Sequence, residues 1–228
     1  MANAPAEVEA QKQAAAARAL ELVRPGTIVG LGTGSTARYF IEGLARRVRS
    51  GLTVQAVVTS LESRAQAEAG GIPITERTDG WLDLAVDGAD EIDPTVNCLK
   101  GRGGALLREK IVAVASRRFV VIADESKLVG RLGRGPVPIE VLPFLWEATS
   151  RSIESLGGRP QLRTTAGQPF RTDNGNLILD TTFGTVDAQL GVAIHAIPGV
   201  LEHGLFFRVA RAAIVGSATG LRILGELA

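Results

Sequence analysis

Cysteine, histidine and aromatic residues are scarce in this chain. Cys98 is its one cysteine in 228 residues, which excludes an intrachain disulfide and a cysteine-based zinc site. The two histidines, His195 and His203, match no ligand pattern, and each is more typical of a packing or surface residue. A single cysteine is compatible with a reducing compartment, so we expect a cytoplasmic protein.

Charge of one sign and long apolar runs are also missing. The 25 basic and 24 acidic residues give a net charge of +1, and no stretch combines basic with aromatic residues, so no nucleic-acid partner is predicted. No apolar run has the length of a membrane span, and no membrane partner is predicted. Charged residues interrupt the alanine-rich residues 2–23, which predicts a helix of the mature protein rather than a secretory signal.

Apolar runs and helical periodicities alternate through the first 130 residues. Strands are predicted at residues 27–29, 54–58, 82–86 and 119–123, and helices at residues 40–48, 61–69 and 105–115. Such alternation is typical of a parallel sheet with helices on both faces. The predicted fold class is therefore α/β, with a mainly parallel, Rossmann-like sheet flanked by helices.

The sequence changes character near Leu132. Glycines and prolines at residues 133–138 indicate a hinge, followed by an extended segment at 139–145 and a helix at 146–156. The turn at residues 173–176 separates runs at 161–163 and 177–181 and predicts an antiparallel hairpin, with another helix at 188–196. We therefore predict a smaller inserted α+β (ferredoxin-like) domain at residues 133–205. Residues 1–132 and 206–228 would form the Rossmann-like catalytic domain, which ends with residues 208–215 and a closing helix.

A glycine-rich turn at residues 30–36 follows the first predicted strand. Ser35 stands where a dinucleotide fingerprint needs its third glycine, and no lysine follows Gly34 as a P-loop requires. What remains is a set of backbone N–H groups with the hydroxyls of Thr33, Ser35 and Thr36 at a helix N-terminus. This arrangement suits a phosphate. The alternative is an ordinary tight turn in which Ser35 or Thr36 caps the helix.

An acid-rich turn at residues 87–93 follows the third predicted strand. Strand ends of an open α/β sheet face the ligand crevice, which favours a role in chemistry, although a solvated turn is the simpler alternative. Asp87, Asp90 and Asp93 are spaced by three, and Ile92 replaces the glycine of a calcium loop. Divalent-metal chemistry stays open on this pattern alone, but no histidine completes a ligand set.

Glu109 lies one turn into a helix that starts after the glycine-rich loop at residues 100–104. Isolated from its context, it would be a surface residue between Arg108 and Lys110. If Asp87 and Asp90 lie close to it, their charges would raise its pKa and make it a better base near neutral pH.

Six segments, in order, resemble those of one enzyme family, ribose-5-phosphate isomerase of the A type. They are residues 25–37, 86–92, 100–110, 123–127, 172–176 and 197–200. The resemblance implies interconversion of D-ribose 5-phosphate and D-ribulose 5-phosphate through a cis-enediol, in the non-oxidative pentose phosphate pathway. It implies no metal and no other cofactor, a sugar phosphate as the small-molecule partner, and a homodimer or homotetramer.

The resemblance also implies roles for individual residues. Glu109 would be the base that moves a proton between C1 and C2, Asp87 and Asp90 would handle ring opening and protons, and Lys100 would lie near the developing oxyanion. The implied substrate-binding positions are Lys12, Thr33, Gly34, Ser35, Thr36, Asp87, Gly88, Ala89, Asp90, Lys100, Gly101, Arg102, Gly103 and Lys127.

Arg102 departs from the family pattern, which often has three successive glycines after the lysine. We expect its side chain to point to solvent, and the alternative is an added charge at the substrate's rim. Three other functions are alternatives for such a chain. A non-catalytic sugar-phosphate sensor should lack Glu109 or carry a DNA-binding segment, a CoA transferase needs a long acyl-carrier cleft, and Ser35 disfavours a Rossmann dehydrogenase.

Overall fold

The computed structural model describes residues 5–76 and 80–227. Its helices are α1 Pro5–Leu20, α2 Ala37–Arg49, α3 Leu61–Ala69, α4 Leu106–Val114, α5 Trp146–Ser155 and α6 Ala188–His195, with a 3-10 turn at Glu125–Lys127. Its strands are β1 Ile28–Leu31, β2 Gln55–Val58, β3 Leu84–Asp87, β4 Glu91–Ile92, β5 Cys98–Leu99, β6 Phe119–Asp124, β7 Val137–Val141, β8 Arg159–Leu162, β9 Thr164–Thr165, β10 Gln168–Pro169, β11 Leu177–Thr182, β12 Val200–His203, β13 Leu205–Phe206, β14 Ala212–Ser217 and β15 Gly220–Gly225.

The predicted parallel sheet is confirmed. Its strand order is β15-β14-β6-β3-β1-β2, and every pair is parallel except β14 with β15. Side chains alternate between two cores: Val120 and Ile122 pack with α1, α2 and α3, whereas Val121 and Ala123 pack with α4 and Phe206. Both faces of the sheet are therefore covered, which explains the nearly continuous apolar strands.

The parallel strands bring three loops to one edge of the sheet. β1 leads into the glycine turn at residues 32–36, β3 ends at Asp87, and β6 ends at Asp124, just before the 3-10 turn that carries Lys127. Because the carboxyl ends of parallel strands meet at the same edge, these loops face a common crevice.

The second half of the chain builds the predicted α+β unit. Strands β12-β7-β11-β8 form an antiparallel sheet, and with α5 and α6 they give the βαββαβ order of a ferredoxin-like unit. The predicted antiparallel pairing is confirmed, with Leu162 opposite Leu179. The connection is longer than a simple hairpin, because β9 and β10 form a small hairpin of their own before the turn at residues 173–176.

Three details of the predicted fold are wrong. The closing helix is instead β15, which pairs with β14 in the register Ile214 to Ile223. Gly220 and Gly225, at the two ends of β15, both have positive φ, a conformation that an α-helix does not use. The extended segment ends at Val141, and Pro138 belongs to β7 rather than to a hinge. Residues 2–4 of the predicted first helix lie outside the described chain. None of the described helices is long and apolar enough to cross a membrane.

Candidate active site

A cleft opens at the carboxyl edge of the parallel sheet. It is lined by Thr33, Gly34, Ser35, Thr36, Gly88, Ala89, Asp90, Lys100, Gly101, Gly103, Glu109 and Lys127. The structure thus brings together residues from four separate sequence segments that were selected as site candidates. Three other candidates, Asp87, Lys12 and Arg102, are not among the lining residues.

A buried cation stands between two buried carboxylates at the base of this cleft. Lys100 Nζ lies 3.1 Å from Asp87 Oδ2 and 3.2 Å from Glu109 Oε2, and the three side chains are at most 5% exposed. The same ammonium donates to the Gly88 carbonyl at 2.5 Å. Burial alone would lower the pKa of Lys100, but the charges of Asp87 and Glu109 outweigh it and raise this pKa. Lys100 is therefore a fixed positive charge.

Asp87 is held by the neighbouring glycine turn. Its Oδ1 accepts hydrogen bonds from the backbone N–H groups of Thr33 at 3.0 Å and Gly88 at 2.7 Å. A Cβ on Gly32 would lie 2.1 Å from the Asp87 carboxylate, so only glycine lets the turn approach this closely. Burial raises the pKa of Asp87, while Lys100 and the two amides oppose the rise.

Glu109 has the electrostatics of a base that works near neutral pH. Burial is the largest cause that raises its pKa to about 8, the charge of Asp87 adds to it, and Lys100 opposes both. Glu109 Oε2 lies 3.2 Å from Lys100 Nζ, and Glu109 also lines the cleft. The carboxylate is therefore free to accept a proton from a molecule in the cleft.

The glycine turn before α2 has the features of an anion site. Gly34 has φ of +105°. Thr36 is the N-cap residue of α2, but within the described chain its side chain forms no capping hydrogen bond. The alternative of a Thr36 cap is therefore not realised. Lys127 also lines this cleft and has no ion-pair partner among the described residues.

Two polar residues that sequence reasoning missed support the turn. Thr33 Oγ1 lies 2.8 Å from Thr59 Oγ1 and donates to Ser60 Oγ at 2.7 Å. Both partners follow β2, whose end lies beside the end of β1 in the sheet. The signal that could have found them is this position, a pair of hydroxyls directly after a parallel strand.

Lys12 and Arg102, two predicted substrate-binding residues, do not line the cleft. Lys12 Nζ forms an ion pair with Glu9 Oε1 at 2.6 Å on α1. The side chain of Arg102 is half exposed, as expected, yet its Nε lies 3.9 Å from Asp90 Oδ1, at the rim. The backbone N–H of Arg102 donates to Asp90 Oδ2 at 3.0 Å.

The acid-rich turn divides its carboxylates among different tasks. Asp93 accepts hydrogen bonds from Thr95 and Asn97 and closes its own loop. Glu91 points the other way and accepts the backbone N–H groups of Gly133, Arg134 and Gly135. Sequence reasoning missed this role of Glu91, because no local pattern separates it from its acidic neighbours.

The histidines lie outside the cleft, in the packing and surface roles expected of them. His203 is buried, and burial together with Lys110 lowers its pKa to about 4, whereas His195 is exposed. Among residues 5–76 and 80–227, no group of three or more His, Cys, Asp or Glu side chains is arranged to hold a metal ion.

Comparison with known proteins identifies the family. The family described as ribose 5-phosphate isomerase A (phosphoriboisomerase A) matches residues 55–220. The ribose-5-phosphate isomerase A of Nitrobacter hamburgensis is 51% identical over 227 residues, covering 95% of this chain and 98% of the relative.

Solved structures agree with this match. Ribose 5-phosphate isomerase A from Methanocaldococcus jannaschii superposes with a TM-score of 0.90 at 39% identity, covering 94% of this chain and 98% of that one. A D-ribose-5-phosphate isomerase in complex with phospho-erythronic acid gives a TM-score of 0.92 at 39% identity, covering 96% and 99% of the two chains. This chain belongs to the ribose 5-phosphate isomerase A family.

Proposed function

We propose that this chain interconverts D-ribose 5-phosphate and D-ribulose 5-phosphate, a step of the non-oxidative pentose phosphate pathway, without a metal or other cofactor. The observation that carries the proposal is a buried glutamate, Glu109, which lines the cleft with a raised pKa beside the fixed cation Lys100. An enediolate mechanism needs this pair: a carboxylate to move the proton and a positive charge to stabilise the oxyanion.

The phosphate group would bind at the turn before α2. Backbone N–H groups at a helix N-terminus and the hydroxyls of Ser35 and Thr36 provide donors for its oxygens. Lys127, on the same cleft, adds a positive charge. Anchoring the phosphate fixes the sugar's position relative to Glu109, which converts binding energy into orientation of the reacting carbons.

The reaction then follows from proton positions. Asp87 and Asp90 assist opening of the sugar ring, and Glu109 removes the proton from C2 of the open-chain aldose. The released electron pair forms the C1–C2 double bond, and the carbonyl electrons move to O1, where Lys100 stabilises the negative charge. As the C2 carbonyl forms, the O2 proton passes to O1 by way of the Asp87 and Asp90 carboxylates, and Glu109 returns its proton to C1 to give the ketose.

The residues around Glu109 and Lys100 would position the groups that react. The N–H of Arg102 orients Asp90, and Gly88, Ala89, Gly101 and Gly103 let the backbone approach the sugar. In our proposal Lys12 contributes to the phosphate site only after it leaves Glu9. It is therefore secondary to Lys127.

We also propose that residues 133–205 act as a separate small domain in a cytoplasmic homodimer or homotetramer. The antiparallel sheet has its own core around Ile139, Ile153 and Leu179, which supports this division. Trp81, Ile111 and Val114 form an exposed apolar patch of the kind that a second copy covers. The single buried cysteine is compatible with the reducing cytoplasm.

Incubation with ribose 5-phosphate in deuterated water tests the function. Because the proton travels through a carboxylate that exchanges with solvent, we expect ribulose 5-phosphate carrying deuterium at C1, measured by NMR. Glu109→Gln should slow the formation of product and label alike by a factor of roughly 100 to 10,000. Binding of the sugar phosphate without product or label would contradict the proposal and favour a non-catalytic sensor.

A further inference from the structure

We propose that Arg163, held by Asp180, is a positioning residue that fixes the Gly101–Arg102 peptide unit and, through it, the Asp90 carboxylate. Arg163 belongs to the small α+β unit, directly after β8, and lies outside the cleft lining. The kinetic part of this inference rests on the proposed isomerase function. Its structural part concerns how the small unit supports the glycine loop.

The guanidinium of Arg163 connects two separate elements. Its Nη1 donates to the carbonyl oxygens of Gly101 at 2.9 Å and Arg102 at 3.0 Å. On its other side, Nε donates to Asp180 Oδ2 at 2.8 Å and Nη2 to Asp180 Oδ1 at 2.5 Å. This two-bond fork with a carboxylate fixes the orientation of the guanidinium plane as well as its position.

The same peptide unit is held from its opposite side by the cleft. In a trans peptide the carbonyl and the following N–H point in opposite directions. The carbonyl of Gly101 points to Arg163, and the N–H of Arg102 donates to Asp90 Oδ2 at 3.0 Å. Any rotation of this peptide unit away from Arg163 therefore also removes a donor from Asp90.

The loop needs such support because of its glycines. Gly101 and Gly104 have φ of +106° and +81°, and glycine loses the most conformational freedom on ordering. The Phe170 ring covers Gly104, where a Cβ would lie 2.5 Å from its Cζ, and the Arg163 guanidinium lies 5.7 Å from the same ring. Arg163 and Phe170 together hold the loop against the small unit.

Partial burial makes the Arg163 contacts stronger than those of a surface ion pair. The side chain of Arg163 is 13% exposed and that of Asp180 is 25% exposed. Without the guanidinium, the Arg102 carbonyl loses this donor and the Gly101 carbonyl keeps only the N–H of Gly104, so the loop explores more conformations. Displacement of a reacting group by about 1 Å costs on the order of 100-fold in rate.

The test compares Arg163→Ala with Arg159→Ala, an exposed arginine at the other end of β8. We expect Arg163→Ala to lower kcat/KM by roughly 10- to 100-fold, mainly in kcat because the phosphate turn is untouched. Guanidinium ion at tens of millimolar should partly restore kcat. Arg159→Ala should match the wild type, and neither its kcat nor that of Glu109→Gln should respond to guanidinium.

Hydrogen exchange measured by mass spectrometry provides a readout independent of activity. The peptide that covers residues 101–104 should exchange faster in Arg163→Ala and at the normal rate in Arg159→Ala. If the wild type proves inactive, the proposed function fails while this readout still decides the inference. Wild-type kcat together with wild-type exchange in folded Arg163→Ala would overturn it.

Asp180→Asn is the second variant, used if Arg163→Ala does not fold. It keeps the arginine but weakens the carboxylate that orients it, so we expect a smaller decrease in kcat and a smaller acceleration of exchange at residues 101–104. If Asp180→Asn has wild-type kcat and wild-type exchange at this loop, the positioning role is refuted.

Discussion

Glu109 and Lys100 form a buried ion pair in which Glu109 Oε2 lies 3.2 Å from Lys100 Nζ. Lys100 directs its hydrogen bonding to the Gly88 carbonyl and stands equally close to Asp87. The cation therefore stabilises negative charge on Asp87, on Glu109 and on an oxyanion that forms beside them. This arrangement leads to the predictions below.

Glu109→Gln should keep the fold and sugar-phosphate binding but lose a factor of roughly 100 to 10,000 in kcat, the range for removal of a general base. Steady-state kinetics and calorimetric binding measure the two effects. Glu147→Gln, on the exposed face of α5, is the control and should retain wild-type kcat. Near-normal turnover in folded Glu109→Gln would remove Glu109 from the mechanism.

The pH profile of kcat/KM should rise with pH and level off above about 8, the pKa of Glu109. The base is active only when deprotonated, and kcat/KM reports groups of the free enzyme. If kcat/KM does not change between about pH 6 and about pH 9, the base that removes the proton does not have this pKa.

The titration of Glu109 should also affect the stability of the protein, which we expect to fall as pH rises. The pKa of Glu109 is raised from 4.5 to about 8 on folding, so between these values the folded state keeps a proton that the unfolded state has lost. The contribution of Glu109 to the free energy of unfolding therefore falls as pH rises through this window and is constant above it. Denaturant titrations should show the wild type losing stability relative to Glu109→Gln over this range. A constant difference would contradict the raised pKa.

Lys127→Ala should weaken substrate binding by about 1.5 to 3 kcal/mol, the scale of a charge-assisted hydrogen bond, which corresponds to a roughly 10- to 150-fold higher KM. The loss should appear mostly in KM, because Lys127 binds the phosphate and takes no part in the proton transfer. Lys12→Ala should change KM less, since Glu9 already holds Lys12 in an ion pair. Equal effects of the two variants would place both lysines on the phosphate.

Gly32→Ala should displace Asp87, because the added Cβ would lie 2.1 Å from its carboxylate. We expect kcat/KM to fall on the order of 100-fold and the free energy of unfolding to fall by about 1 to 3 kcal/mol. Gly184→Ala is the matched control, since a Cβ there meets nothing within 4 Å. Wild-type kinetics in Gly32→Ala would show that Asp87 tolerates displacement.

Local patterns predicted the order of strands and helices over most of the chain. The apolar runs at β1, β3 and β6 and the glycines after β1 and β3 depend on short-range spacing, which a sequence displays directly. The closing strand β15 was mistaken for a helix because its pairing partner, β14, decides its conformation.

The candidate site was visible in the sequence as motifs but not as a geometry. The sequence by itself determined which residue types follow which strands, and the family resemblance selected the candidate positions among them. Only the tertiary structure decided that Asp87 and Glu109 share one cation and that Glu91 accepts the backbone N–H groups of residues 133–135. The pKa and the hydrogen bonds of these side chains depend on how deeply they are buried and on which groups lie beside them. Both conditions arise from contacts between segments far apart in the chain.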